Sequence, residues 1–168
     1  MNNFYITNLH RGSGGPWFFA RRLAEELKNS GLNHDAESNN RITLIKGTPK
    51  AEANNILRLD GLYFFKCREN KAIFKAYESY DHIVFQGKFC KDQYEAFTGT
   101  VRPHTTIRNG VDDAFFNPST EIIKTDNPVV VASAHWRRHK RLDEIVEAFS
   151  SPKLKNVELW VLNGKGFK

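Results

Sequence analysis

The chain has only two cysteines, Cys67 and Cys90, and they stand far apart without metal-type spacing. That argues against a disulfide framework or a zinc ribbon. It reads as free thiols in a reducing compartment, with a disulfide or redox pair as the lesser alternative. The six histidines are scattered, and no two have the spacing by which a helix grips zinc, so no metal site is expected. There is no Gly-x-Ser-x-Gly elbow, which leaves a hydrolase triad without support. No apolar run approaches the roughly 20 residues needed to cross a bilayer. The N-terminus lacks the pattern of a signal peptide. A cytoplasmic protein is expected on these grounds. Internal repeats and low-complexity tracts are also missing.

What is present is charge and a steady alternation of elements. The formal net charge is +6 and the pI about 9.4, which points to an anionic partner: a nucleotide, a membrane surface or a nucleic acid. The plain alternative is a basic protein whose lysines coat its helices. Forty percent apolar residues suffices for a packed core. Strands are expected at 4–9, 41–46, 55–59, 82–85, 105–108, 129–133 and 157–162. Helices are expected at 17–29, 70–80, 88–97 and 142–150, with Gly31 and Gly99 closing the first and third. The stretch 32–40 reads as a polar loop. Residues 112–127, with Pro118 and no sustained periodicity, suit a linker. Strand–helix alternation throughout implies an α/β protein with a parallel, Rossmann-like sheet flanked by helices.

Three segments carry candidate chemistry. The run Trp136-Arg137-Arg138-His139-Lys140-Arg141 lies between an apolar strand and an amphipathic helix, where open α/β sheets bind ligands. Arg137, Arg138 and Lys140 repel one another unless an anion or solvent relieves them. They read either as a phosphate or diphosphate site or as solvated surface. The glycine loop Gly12-Ser13-Gly14-Gly15 joins a strand to a helix and lets backbone amides approach an oxyanion or a sugar. It matches neither the dinucleotide fingerprint nor the Walker loop, so by itself it is a ligand loop or a tight turn. Asp60, in Arg58-Leu59-Asp60-Gly61, stands at a strand's carboxyl end. There it can orient hydroxyls or accept a proton, or simply pair with Arg58 to close a turn. Aromatic residues occupy core-like positions more than a stacking strip, so nucleic acid is not the expected partner.

Taken in order, these segments resemble the GT-B fold glycosyltransferases, in particular the retaining enzymes that use nucleotide-sugars. Four pieces carry the resemblance, which spans nearly the whole chain. They are Gly12 to Pro16 with the helix through Leu27; Arg58-Leu59-Asp60-Gly61 with Asn70 and Ile73; Val84 to Phe89, then Ile107 to Asp112 with Phe116 and Pro118; and Trp136 to Phe149. The resemblance implies a Rossmann-like acceptor-side domain at 1–111, a linker at 112–127, and the start of an incomplete nucleotide-sugar-binding domain at 128–168. It implies Arg137 and Lys140, with Arg138 as a further member, as the clamp on the donor diphosphate. Gly12, Ser13, Gly14 and Gly15 would line the cleft, and Asp60 would touch acceptor or sugar hydroxyls as the candidate catalytic residue. The nucleotide-sugar is the donor substrate, a sugar or glycoconjugate is the acceptor, and no metal or other cofactor is implied.

The chain departs from the family pattern in three places. Ala134-His135 stands where a Gly-Arg pair is usual, which moves the arginine's role to Arg137. The first domain is short. The sequence stops ahead of the paired glutamates that hold the donor sugar and ribose, so the expectation divides between a truncated enzyme and a naturally short relative. A second copy of the chain is one way to complete the second domain. Against the enzyme stands a non-catalytic sugar- or nucleotide-binding or interaction module, and more weakly a basic nucleic-acid-binding domain.

Overall fold

The computed structural model describes residues 3–7, 9, 14–62, 68–110, 123–134 and 136–163. Gly12, Ser13, Cys67 and residues 111–122, which take in most of the expected linker at 112–127, lie outside the described residues. Two compact units are present, Met1–Val111 and Asp112–Lys168.

In the first unit, β1 (Asn3–Ile6) leads to α1 (Gly15–Asn29), β2 (Asn33–His34), β3 (Asn40–Leu44) and β4 (Asn54–Leu59). Then come α2 (Arg68–Ser79), β5 (His82–Phe85), α3 (Lys88–Thr98) and β6 (His104–Thr106). The strands form one sheet in the order β2-β1-β3-β4-β5-β6, and every neighbouring pair is parallel. This is the expected α/β architecture. One strand was hidden. Residues 32–40 look like a polar loop, yet Asn33 and His34 pair with Asn3 and Phe4. The strand is short because the His34 side chain takes over the ladder, its Nε2 accepting from the Ile6 N–H at 3.2 Å. Side-chain pairing of that kind leaves no apolar alternation to read.

Local rules account for the helix ends. Pro16 sits in the first turn of α1, where its missing N–H costs nothing, so the helix starts at Gly15 instead of Trp17. Beyond Ser30, Gly31 adopts φ +82°, its N–H bonds Lys28 O, and the Leu32 N–H reaches back to Leu27 O. That is a Schellman stop. Gly99 closes α3 in the left-handed conformation at φ +67°.

Register sorts the strand residues onto two faces. Ile42 pairs with Ile56 and Leu44 with Arg58, so these four share the face that carries α1. On it Phe4, Ile6, Ala20 and Ala24 are buried together, with Leu23, Leu27, Ile42 and Leu44 packed around them. The opposite face buries Leu57, Leu59, Ile83 and Phe85 against Ile73, Ala76 and Tyr77 of α2 and Tyr94 of α3. The second core is rich in rings: Tyr94 lies 5.3 Å from Tyr77 and 5.6 Å from Phe85 between ring centroids.

Burial also raises the pKa of Tyr94 and of Tyr80 above the ordinary tyrosine value, in both cases chiefly by desolvating the phenolate. Their folded pKa values exceed the unfolded ones, so the stability they contribute is intact below about pH 10 and is lost as pH rises further. We expect the unfolding free energy from urea titrations to hold between pH 7 and 9 and to fall above pH 10, by up to about 1.4 kcal/mol per pH unit for each tyrosine. Tyr94→Phe is expected to fall less steeply. An identical alkaline slope in the variant would remove Tyr94 from the account.

The second unit contains β7 (Val129–Ala134), α4 (Leu142–Phe149) and β8 (Glu158–Asn163). The two strands pair in parallel along their full length, from Val129 with Glu158 to Ala134 with Asn163. None of its described residues is buried. Val130, Val131, Val146 and Leu162 each remain 45% to 53% exposed. A two-stranded ribbon with one short helix is marginal in water without further cover. Among the described residues, no helix of the protein is long and apolar enough to cross a membrane.

Candidate functional site

Crossovers in the first unit run from β1 outward to β2, then return past β1 to β3 and continue through β6. The direction therefore reverses between β1 and β3, and at such a switch point the connections diverge and leave a crevice beyond the strands' carboxyl ends. The chain leaving β1 there enters the glycine loop. Thr7 is held to the neighbouring strand, its N–H bonding Ile42 O at 2.9 Å and its hydroxyl bonding Thr43 Oγ1 at 2.9 Å. Gly14 then turns the chain into α1 at φ +100°, a conformation that strains any L side chain. Around Gly14 and Gly15 the space a Cβ would enter is empty. The first turn of α1 contains no acidic residue, so nothing in the helix itself offsets the positive end of its dipole.

Farther along the same edge, Arg58 ends the inward-facing row of β4. An arginine in the row of Ile42, Leu44 and Ile56 should be expensive to bury, yet it is only 4% exposed. Three neighbours explain it. Its Nη1 donates to Asp60 Oδ1 in an ion pair, and its Nη2 donates to Asn109 Oδ1 at 2.5 Å. The ring of Phe19, from α1, lies 3.6 Å from the guanidinium carbon. Arg58 thus spans the end of β5 and ties three parts of the carboxyl edge together: the α1 face, the end of β4 and the turn after β6. Asp60 keeps about a third of its side chain exposed, so its carboxylate is both anchored and reachable.

Behind Asp60, the Cys90 thiol donates to the Asp60 carbonyl oxygen at 2.6 Å. Burial first, and the Asp60 carboxylate second, push the Cys90 pKa up, so at neutral pH it is a protonated hydrogen-bond donor and a poor nucleophile. Gly61, at φ +154°, and the Tyr94 hydroxyl on its carbonyl at 3.4 Å complete this floor. Sequence reasoning singled out Asp60, Gly14 and Gly15. Cys90 is a free thiol, as its isolation in the sequence implies, but its bond to Asp60 and the meeting of Phe19 and Asn109 with Arg58 carry no sequence signature of their own. The available signal was Arg58 itself, a charge inside an apolar strand that demands partners.

Arg137, Arg138 and Lys140 belong to the second unit. Arg138 to Lys140 form a single 3₁₀ turn after β7, and Arg141, at φ +53°, leads into α4. All three cations are exposed, and among the described residues none has a carboxylate within ion-pair distance. Arg141 is engaged with Glu144 at 3.2 Å. Unlike α1, α4 carries Asp143 and Glu144 in its first turn, so its dipole is already compensated. Any anion held here is held by the side chains, not by the helix end. Trp136 is fixed by its indole N–H on Leu162 O at 3.0 Å, which seats this loop at the carboxyl edge of the ribbon.

Among the described residues no group of three or more His, Cys, Asp or Glu side chains converges on a common point. Scans against protein-family models, curated proteins and solved structures return no match to this chain.

Proposed function

We propose that this chain serves nucleotide-sugar-dependent glycosyl transfer, with the first unit meeting the acceptor and the second the donor. The observation that supports this most is the carboxyl edge of the first sheet. Gly14 and Gly15 open at the switch point, and Asp60 is fixed by Arg58, whose other guanidinium nitrogen is held by Asn109. A carboxylate already oriented by a buried guanidinium can accept hydrogen bonds from sugar hydroxyls without reorganising, which favours binding. The exposed cations of the second unit suit a diphosphate. As the bond between the anomeric carbon and the diphosphate oxygen breaks, Arg137 and Lys140 would stabilise the leaving nucleoside diphosphate. The acceptor oxygen forms the new glycosidic bond, and its proton passes to the departing diphosphate oxygen. Held in place by its ion pair with Arg58, the Asp60 carboxylate can accept a hydrogen bond from that hydroxyl and orient it.

A non-catalytic binding module is the second reading. The absence of any buried residue among those described in the second unit favours it, because a donor platform needs a rigid support. Calorimetry with UDP and GDP, followed by release of nucleoside diphosphate from a panel of sugar donors, tests both. We expect nucleotide binding that weakens at least about tenfold in Arg137→Ala/Lys140→Ala. Release from one donor establishes the enzyme; binding without release establishes the module. Oligonucleotide binding that falls steeply with salt, without nucleotide affinity, overturns both.

A further inference from the structure

The connection from β3 to β4 is unusual. Parallel neighbours are ordinarily joined through a helix, but residues 45–53 cross back without one. The crossing begins in a strained turn. Ile45 has φ +67°, an outlier for a β-branched residue, and the Lys46 N–H closes on Leu44 O at 2.7 Å. The turn persists because the Ile45 N–H is tied to Arg58 O at 2.8 Å and its side chain packs on the core. Next, Gly47 lies flat on the sheet. A Cβ there would come within 2.7 Å of Thr43 Cγ2 and 3.1 Å of the Tyr80 hydroxyl. Pressing the chain down in this way leaves a groove of about 770 Å³ between it and α2.

That volume falls within the range of small-molecule sites. Lys46 lines the groove from the crossing side, Arg68 and Lys75 from α2, against one carboxylate, Glu69. Among the described residues none of the three cations is in an ion pair. The strained Ile45 immediately precedes Lys46 in the groove wall, and backbone strain of this kind clusters at ligand sites.

We propose that this groove binds a small phosphorylated organic molecule, its phosphate held by Lys46, Arg68 and Lys75. The site lies wholly in the first unit and stands independently of the glycosyl-transfer reading. The test is a titration of the full chain with inorganic pyrophosphate and with a sugar phosphate, followed by amide NMR. Saturable shifts are expected at Gly47, Thr48 and Ala72. Lys46→Ala/Lys75→Ala, at exposed positions that leave the fold intact by thermal melting, is expected to weaken binding by about tenfold or more. Ala72→Phe, which fills the groove without changing charge, is expected to do the same. Affinity within twofold of the parent in both variants overturns the proposal. So does a response confined to Arg137 through Lys140, which would leave the donor site of the second unit standing alone.

Discussion

Arg58→Ala is expected to lower the stability of the first unit by about 3 kcal/mol, since removing one partner of a buried pair strands the other. The substitution leaves Asp60 without its cation, Asn109 Oδ1 without its donor and Phe19 above a void. Asp60 is partly exposed and can recover some hydration, which keeps the loss at the lower end for a buried pair. For a unit of this size the melting temperature should drop by more than about 10 °C. Arg58→Met, which restores apolar volume beneath Phe19 and suits the row it occupies, should recover part of that stability. It should not restore any function that depends on the orientation of Asp60. Thermal melts and nucleotide-sugar turnover, measured side by side, separate the two effects. A stable Arg58→Ala protein would show that the ion pair is solvated.

Tyr94→Ala is expected to be still more damaging, by about 4 kcal/mol, in the range for truncating a large buried ring. Its ring is fully buried, contacts those of Tyr77 and Phe85, and has Phe74 edge-on at 6.1 Å. It is the buried residue through which α3 joins the sheet, so the cavity cannot collapse without moving the helix. The phenol hydroxyl adds little, because its bond to Gly61 O is long at 3.4 Å. Tyr94→Phe should therefore cost less than about 1 kcal/mol at neutral pH. Urea unfolding of the three proteins, with equal m-values, is the measurement. Comparable losses for phenylalanine and alanine would place the stabilisation in the hydroxyl and contradict the packing account.

Strand and helix identities were legible in the sequence because they rest on local periodicity. Leu57 and Leu59 alternate, Ile73, Ala76 and Tyr77 recur at helical spacing, and Gly31 and Gly99 stop helices through backbone freedom alone. That Asp60 directly follows a strand and Gly14 directly precedes a helix was legible for the same reason. What only the tertiary structure decided is which distant groups meet. Arg58 is an oddity in a strand until β4, β5 and β6 align in parallel and bring Asn109 to its guanidinium, with Phe19 arriving from the other side of the switch point. Nothing periodic encodes those meetings, nor the two-residue strand at Asn33, whose ladder a histidine ring completes, nor the helixless crossing whose groove depends on Gly47 lying against Thr43. Pairing across long sequence separations is set by strand order, and strand order is a property of the assembled sheet.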